Sequence, residues 1–242
     1  MMVRTSKLRC RGYLWLWLII CSAALLSPVS VFAQWWGSKG TEIDQLAPLL
    51  QLKPGMALAE VGAGSGAVTV AAAQKVGPSG HIYATEIDPK RLEEIRQAVE
   101  LAGLTNVSVI ESTPAETRIP AECCDGIYMI GVYHHFTQPL ATDASIFRAL
   151  RPGGRLVIAD FRPSLLLKPW TPEGVPANRG GHGIPPNILE DELTQSGFRI
   201  VQVYDQWGSS WFLSSFCVVA TRPLGEGTAP MGEPNESRTD VR

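Results

Sequence analysis

The sequence has few cysteines, little net charge and no internal repeat. Of the five cysteines in 242 residues, two lie in the first 21, two are adjacent and one is isolated, which excludes a disulfide framework and zinc-ligand spacing. The formal net charge is −2, and it is more acidic once the basic residues 1–33 are set aside, so no basic nucleic-acid footprint is expected. With 45% hydrophobic and 18% charged residues, the composition excludes collagen-like, coiled-coil and wholly disordered chains.

The first 33 residues lack acidic side chains. They contain four cations, then the apolar run Leu14–Leu26, a Ser27-Pro28 break and Ala33 before Gln34. This order is typical of a signal peptide that is removed after export; the alternative is that residues 14–33 stay in the bilayer as one membrane anchor. In both cases the cationic flank stays in the cytoplasm. We therefore expect an exported protein, periplasmic or extracellular, that is membrane-associated if the leader is retained.

The rest of the chain is long enough for one substantial hydrophobic core. Residues 34–222 are therefore expected to form a single domain. Residues 223–242 are rich in Pro, Gly, Glu, Ser and Thr and contain almost no bulky apolar side chain, which predicts a disordered tail.

Short apolar runs alternate with helical patterns along the domain, which predicts a parallel sheet covered by helices on both faces. Two further β-rich runs, 198–207 and 211–221, are joined by Gly208-Ser-Ser and predict an antiparallel hairpin. The expected fold class is α/β: a doubly wound, mostly parallel seven-stranded sheet, Rossmann-like, with an antiparallel C-terminal hairpin. The other predicted strands are 56–61, 81–85, 106–110, 126–130 and 155–161, and the predicted helices are 41–52, 67–75, 88–102, 139–150 and 187–196.

A glycine-rich turn lies where the first predicted strand gives way to a helix: Glu60-Val-Gly62-Ala-Gly64-Ser-Gly66. Glycines let the backbone approach a ligand closely, and the helix N-terminus behind them offers free amides. Glu86, at the end of the next strand, is placed to accept hydrogen bonds from ribose hydroxyls. The pattern predicts a nucleotide-like ligand.

Two cofactor classes fit these glycines. Gly62, Gly64 and Ala67 also match the dinucleotide pattern with Ala in third place, so an NAD(P)-dependent oxidoreductase stays open. Glu60 favours the other class, because a carboxylate just before the glycines suits a ligand with a cationic amino-acid portion and is unfavourable beside a pyrophosphate. The terminal hairpin favours the same class.

The chain resembles the class I S-adenosylmethionine-dependent methyltransferases over residues of about 41–222. Four segments carry the resemblance: 60–66, Ala84-Thr-Glu86-Ile-Asp88-Pro, 125–130 and 150–157. It implies S-adenosylmethionine as the cofactor, with its methionine part on the glycine loop, its ribose on Glu86 and its adenine against Ile87. By this resemblance the cofactor-binding residues are Glu60, Gly62, Gly64, Gly66, Glu86, Ile87, Thr113 and Gly131.

One segment departs from the family pattern. Many members have Gly-Asp-Ala after the third strand, whereas this chain has Ser112-Thr113-Pro114. Thr113 still offers a hydroxyl for hydrogen bonding to adenine.

Candidate bases follow the fourth predicted strand, in the turn Gly131–Phe136. In an open parallel sheet the ligand crevice lies at the carboxyl ends of the strands, where this turn falls. A neutral imidazole of His134 or His135 is a suitable base for an O- or N-nucleophile near pH 7, and Tyr133 is expected to contact the substrate. The alternative is that the histidines only start a helix or line the cofactor.

Segment 162–186 is too long for an idle connection and leaves the fifth strand at the same crevice. It carries Trp170, Arg179 and His182. We expect it to form a substrate lid, with Arg179 and His182 as substrate-binding residues; the alternative is a solvated, merely mobile loop.

The pair Cys123-Cys124 suggests an arsenic or metal site, since arsenite methyltransferases use cysteines. These two residues precede the fourth strand, at the end of the sheet away from the crevice. We expect them to pack as buried thiols, and we expect no metal site.

The expected function is methyl transfer from S-adenosylmethionine to a small or lipophilic acceptor, with no nucleic-acid partner. Two alternatives stay open, the oxidoreductase and a binding protein that holds the cofactor without catalysis. The second is open because the cofactor is made in the cytoplasm, whereas the protein is expected outside it.

Overall fold

The computed structural model describes residues 40–164, 169, 171–208 and 215–225. The predicted leader and residues 226–242 of the predicted tail lie outside the described residues, as do Trp170 and residues 209–214. Within the described ranges, no helix is both long enough and apolar enough to cross a membrane. The boundaries of the leader, domain and tail stay predictions.

Strands and helices alternate through most of the described chain, as predicted, and short 3₁₀ turns at Tyr133–His135 and Ala177–Arg179 connect some of them. The strands are β1 (Ala57–Val61), β2 (His81–Glu86), β3 (Val107–Glu111), β4 (Cys124–Ile130), β5 (Leu150–Phe161), β6 (Arg199–Tyr204) and β7 (Ser215–Thr221), and the helices are α1 (Gly40–Leu50), α2 (Ala67–Val76), α3 (Pro89–Leu101), α4 (Pro139–Ala149) and α5 (Pro186–Gln195).

The strands form one sheet in the order β3-β2-β1-β4-β5-β7-β6. The first five pair in parallel, and β7 is antiparallel to both β5 and β6. The predicted α/β class, with its mostly parallel sheet and antiparallel terminal pair, is confirmed. The strand order reverses beside β1, because β2 pairs with one of its edges and β4 with the other. This reversal creates a crevice at the carboxyl ends of the central strands.

Neighbouring residues of the central strands alternate between two apolar layers, because successive strand side chains point to opposite faces. Ile127 belongs to the cluster that includes α4 and α5, whereas Tyr128 belongs to the cluster that includes α1 and α2. Helices therefore cover both faces, which leaves the strand ends and their loops to form the site.

Local sequence signals explain where the helices beside the crevice begin. Asp88 caps α3, since its carboxylate accepts a hydrogen bond from the Lys90 amide at 2.8 Å, and Pro89 follows in the first turn. Gly66, with φ of 80°, ends the glycine loop and starts α2. The loop and both helix starts therefore meet at the carboxyl ends of β1 and β2.

The structure differs from the prediction at the start of β5. The sequence Arg-Pro-Gly-Gly predicts a turn before a strand at Arg155, but the strand begins at Leu150, which pairs with Cys124. Pairing then skips to Gly126 and Arg155, so residues 151–154 bulge out between two paired stretches. This irregularity lies at the amino end of the sheet, opposite the crevice.

Candidate functional site

The crevice at the carboxyl ends of the strands contains a cavity of about 540 Å³. This volume is within the range of roughly 300 to 1,000 Å³ that is usual for small-molecule sites. Seven of the predicted site residues line it: Gly62, Gly64, Glu86, Ile87, Thr113, Gly131 and His135.

The first glycine of the loop has no room for a side chain. Gly62 has φ of 74°, and a Cβ built on it would lie 2.6 Å from Cγ2 of Val132. Gly64 also has a positive φ, of 57°. Gly66 does not line the cavity. A Cβ built on it would lie 3.0 Å from the Cα of Ile95, so the missing side chain lets the Ile95 backbone pack closely. The predicted contact of Gly66 with the cofactor is therefore replaced by a role in packing α2 against α3.

Glu86 is held by the backbone at the end of β2. One carboxylate oxygen accepts a hydrogen bond from the Gly64 amide at 3.0 Å, and the other accepts from the Ile87 amide at 2.8 Å. These bonds hold the carboxylate on the cavity wall, and each oxygen keeps acceptor capacity. The arrangement fits the predicted role of Glu86 toward a pair of ribose hydroxyls.

The wall of the cavity that is predicted to meet adenine combines apolar and polar groups. Ile87 is 51% exposed beside it, so an adenine ring has an apolar surface to cover. Thr113 also lines the cavity, and its hydroxyl accepts a hydrogen bond from the Glu116 amide at 3.1 Å. Sequence reasoning missed Arg91, a cavity residue on the first turns of α3, because a surface arginine on a helix carries no signal of its own.

Glu60 does not take the predicted charged role. It is 4% exposed and does not line the cavity. Its carboxyl accepts hydrogen bonds from the hydroxyls of Thr69 and Tyr128. Burial raises the pKa of Glu60 to about 8, so the group is mostly protonated at neutral pH and offers no charge to a cation. Glu60 therefore does not distinguish a cationic ligand from a pyrophosphate.

The two neighbouring histidines have different environments. His135 lines the cavity, and desolvation together with the neighbouring His134 and His182 lowers its pKa to about 4. His134 does not line it; its side chain is 1% exposed, and its Nδ1 lies 2.8 Å from Oδ1 of Asp160. Asp160 at the end of β5 is a residue that sequence reasoning missed, because its pairing depends on how β5 meets the turn after β4.

Two predicted substrate residues are buried in support of the site. Arg179 is fully buried and donates hydrogen bonds to the carbonyl oxygens of Phe136, at 2.6 Å, and Tyr133, at 3.1 Å. It also forms an ion pair with Glu192 on α5 at 3.0 Å. Tyr133 is likewise buried, and its hydroxyl donates to Asp143 at 2.8 Å. The prediction that Arg179 and Tyr133 contact substrate is therefore wrong for this conformation, since neither side chain reaches the cavity.

His182 is close to the other two histidines. Its ring centroid lies 5.0 Å from that of His134 and 5.9 Å from that of His135. The described part of the predicted lid thus lies beside the candidate bases at His182. The buried Arg179 attaches the same segment to the turn that carries these histidines. The role of His182 toward a substrate stays a prediction.

The cysteine pair lies at the other end of the sheet. Cys124 is the buried first residue of β4, and Cys123 precedes it. Among the described residues, no group of three or more His, Cys, Asp or Glu side chains is arranged to hold a metal ion.

Comparisons with known proteins agree with this geometry. A family profile described as a methyltransferase domain matches residues 59–158, which span β1 to β5. A crystal structure of an S-adenosylmethionine-dependent methyltransferase from Aquifex aeolicus superimposes with a TM-score of 0.57 at 23% identity, covering 76% of this chain and 97% of that one. The chain therefore contains a class I S-adenosylmethionine-dependent methyltransferase domain.

S-adenosylmethionine is accordingly the cofactor of this methyltransferase family, and the cavity residues fit it. The glycine loop, the anchored Glu86 carboxylate and the exposed Ile87 side chain, which were predicted to meet its amino-acid, ribose and adenine parts, all line the cavity. The presence of this domain also speaks against the oxidoreductase alternative.

Curated relatives of the chain are named for different acceptors. A protein-L-isoaspartate O-methyltransferase from Methanothrix thermoacetophila is 34% identical over 116 residues, which is 48% of this chain and 52% of the relative. A tRNA (guanine(6)-N2)-methyltransferase from Thermus thermophilus is 29% identical over 138 residues, which is 52% of this chain and 40% of the relative. The chain thus spans about half the length of these relatives. The tRNA enzyme also overturns part of the sequence prediction, because similarity to this family does not exclude nucleic acid.

Proposed function

We propose that the chain is an active S-adenosylmethionine-dependent methyltransferase whose acceptor is a small or lipophilic molecule with an O–H or N–H nucleophile. One observation carries the proposal: the cofactor-binding groups Gly62, Gly64 and Glu86 share a single cavity with the imidazole of His135. A cofactor and a candidate base are thereby brought to the same space.

The chain's own residues supply what methyl transfer needs. Bound in this cavity, S-adenosylmethionine supplies an electrophilic methyl group on a sulfonium. Gly62 and Gly64 leave room for close approach, and Glu86 orients the ligand. Such alignment accounts for most of what a displacement of this kind requires from a protein.

His135 suits the part of the cavity that receives the acceptor. Because its pKa is lowered to about 4, its imidazole is neutral at physiological pH and does not repel a cationic cofactor. A neutral imidazole nitrogen accepts a hydrogen bond, and then a proton, from an acceptor hydroxyl or amine.

The surroundings of His135 favour an apolar acceptor body. Ile130, Val132 and Phe136 line the same cavity. Apolar walls with a few placed polar groups are usual for small-molecule sites. The proposal of a small or lipophilic acceptor rests on these walls, and the tRNA enzyme among the relatives makes RNA an outcome for the test.

The experiment measures binding first. The full chain is titrated by calorimetry with S-adenosylhomocysteine, S-adenosylmethionine and NADPH, beside Glu86→Ala and the control Glu93→Ala, an exposed residue of α3. We expect micromolar binding of the two adenosyl ligands, no binding of NADPH, and at least ten-fold weaker binding in Glu86→Ala, because hydrogen bonds to a charged group contribute about 1.5 to 3 kcal/mol.

Turnover is then measured as S-adenosylhomocysteine released from S-adenosylmethionine with panels of phenols, amines, quinols and RNA. Release with a small acceptor supports the proposal, and release only with RNA contradicts the acceptor class. Binding without release across the panels favours the non-catalytic alternative, and binding of NADPH alone contradicts the proposal altogether.

We also propose that the domain acts outside the cytoplasm, on the basis of the cationic and apolar pattern of residues 1–33. Fractionation of cells that express the chain with a C-terminal tag tests this. Protease protection that is lost only when the inner membrane is opened would indicate a cytoplasmic domain and contradict it.

A further inference from the structure

A buried carboxylate stands behind the histidines of the site. Asp160 is 3% exposed, and its Oδ2 accepts a hydrogen bond from the His134 amide at 3.1 Å. Its Oδ1 accepts from the Phe161 amide at 2.8 Å and lies 2.8 Å from Nδ1 of His134. Because two backbone amides already hold it as an acceptor, an ionised Asp160 takes the proton-bearing Nδ1 of His134 as its third donor. His134 is thereby fixed in one tautomer and one orientation.

The other nitrogen of His134 lacks a partner. In the tautomer set by Asp160, Nε2 carries a lone pair, and this atom is buried without a hydrogen-bond partner among the described residues. The ring of His134 contacts three others, with centroids 4.1 Å from His135, 4.5 Å from Phe161 and 5.0 Å from His182. Buried acceptors are almost always paired, so an unpaired one beside a cavity histidine needs an explanation.

We propose that Asp160 and His134 are positioning residues for His135. In this arrangement, called the proton chain below, His135 takes the proton of the acceptor nucleophile, and Asp160 balances through His134 the charge that His135 gains. This inference rests on the proposed function, since it names the groups that handle the acceptor's proton. The N–H of the His135 ring that does not face the acceptor is the donor that Nε2 of His134 lacks. The charge that His135 gains when it takes a proton is balanced by Asp160 through the imidazole between them.

Methyl transfer to the acceptor exchanges one bond to the methyl carbon for another. The acceptor's lone pair forms the bond to the methyl carbon, and the electron pair of the broken carbon–sulfur bond stays on the sulfur. The acceptor's proton passes to the ring nitrogen of His135, which then releases it to solvent at the cavity mouth. Asp160 stays ionised throughout, and His134 keeps its proton on Nδ1.

Other charged groups near His135 belong to three further elements. His182 lies beside it on the loop before α5 and, with His134, lowers its pKa, whereas Asp160 raises it. Glu86, Asp88 and Arg91 line the same cavity. The Asp160 variants therefore keep these groups unchanged, so that a change in the protonation of His135 reports the loss of Asp160 alone.

The test uses nuclear magnetic resonance of the full chain labelled with ¹⁵N at histidine. The chain has four histidines, so single substitutions assign every ring. His81, which bonds Ser108 on β3, supplies the control His81→Gln. Spectra are recorded from pH 4 to pH 8 with and without S-adenosylhomocysteine.

In the wild-type chain we expect the proton of neutral His134 on Nδ1. In Asp160→Asn we expect this proton to move to Nε2, because an amide donates to Nδ1 instead of accepting from it. We also expect the protonated fraction of His135 at pH 4.5 to fall roughly five- to ten-fold, because the loss of a nearby opposite charge lowers the pKa of His135 by about one unit.

A purely structural role predicts a different pattern. It requires the nearly isosteric Asn to be tolerated and the longer Glu not, whereas the proton chain requires Asp160→Glu to restore the protonated fraction of His135. A wild-type proton on Nε2 of His134, or an unchanged His135 in Asp160→Asn, contradicts the proposal. If Asp160→Asn does not fold, the wild-type tautomer alone decides.

The same samples separate this proposal from the proposed function. If S-adenosylhomocysteine does not bind but His134 has the expected tautomer, the proposed function is contradicted and the arrangement of Asp160, His134 and His135 is not. Normal binding with the other tautomer contradicts the proton chain and leaves methyl transfer in place.

Discussion

At the scale of single residues, the conformation of the glycine loop depends on the absence of a Cβ at Gly62. Its φ of 74° is unfavourable for other residues, and Val132 fills the space that a side chain would take. Gly103, which follows the end of α3, offers a matched comparison, since its φ of 64° is similar and no atom lies within 4 Å of a Cβ built there. The two positions share the backbone penalty and differ in the clash and in contact with the cavity.

We expect Gly62→Ala to lower the free energy of unfolding by about 2 to 4 kcal/mol, from left-handed strain of about 1 kcal/mol and a clash of roughly 1 to 3 kcal/mol. Binding of S-adenosylhomocysteine should weaken at least ten-fold. Gly103→Ala should lose only about 1 kcal/mol and bind normally. Urea unfolding and calorimetry measure both effects, and equal losses in the two variants would contradict the role given to the clash.

At the scale of elements, Arg179 joins three parts of the structure. Its guanidinium links the loop before α5 to the 3₁₀ turn that carries the histidines, and to Glu192 on α5 itself. Because the guanidinium is fully buried, removing it leaves Glu192 without its ion-pair partner and takes one donor from each of the two carbonyl groups. These contacts of Arg179, called the Arg179 clamp below, therefore stabilise the site and do not recognise a ligand.

We expect Arg179→Met to lower the free energy of unfolding by about 3 to 5 kcal/mol, the usual effect of breaking a buried ion pair from one side. Arg96→Met is the control, because Arg96 and Glu93 are both more than half exposed and 3.6 Å apart, and such pairs contribute less than about 1 kcal/mol. Urea unfolding measures both. A loss below 1 kcal/mol in Arg179→Met would mean that the clamp does not hold the loop.

At the scale of the whole molecule, Glu60 makes stability depend on pH in an unusual direction. Its pKa is raised by burial from 4.5 to about 8 in the folded chain. Between these values the folded state binds a proton that the unfolded state has released, so this group's contribution to stability is full below pH 4.5 and declines as pH rises toward 8.

We therefore expect the free energy of unfolding of the wild-type chain, relative to Glu60→Gln, to fall by as much as about 4 kcal/mol from pH 4.5 to pH 8, at 1.36 kcal/mol per pKa unit. Chemical denaturation at a series of pH values measures this difference. Parallel curves for the two chains would show that the pKa of Glu60 is not raised. Glu93→Gln, on the exposed surface of α3, controls for the loss of a carboxylate.

The fold was predictable because its signals are local. Gly66 before α2, Asp88-Pro89 before α3 and the apolar runs of the central strands each act within a few residues. The start of β5 was not, because the pairing of Leu150 with Cys124 depends on a partner strand far away in sequence.

The site divides in the same way. Gly62, Gly64 and Glu86 were predictable from spacing along one βα unit, and they line the cavity. The burial of Arg179 and the pairing of Asp160 with His134 were not, since both depend on how separate loops meet above the sheet. Residue types alone do not distinguish an arginine that binds a ligand from one that ties down a loop.

The Arg179 clamp has a calorimetric consequence. A loop that is already tied to α5 and to the histidine turn does not have to be ordered when an acceptor enters, so binding avoids the entropy loss that a closing lid would incur. The heat-capacity change of acceptor binding should then match the apolar surface that the acceptor itself buries, without the larger negative value that accompanies coupled folding.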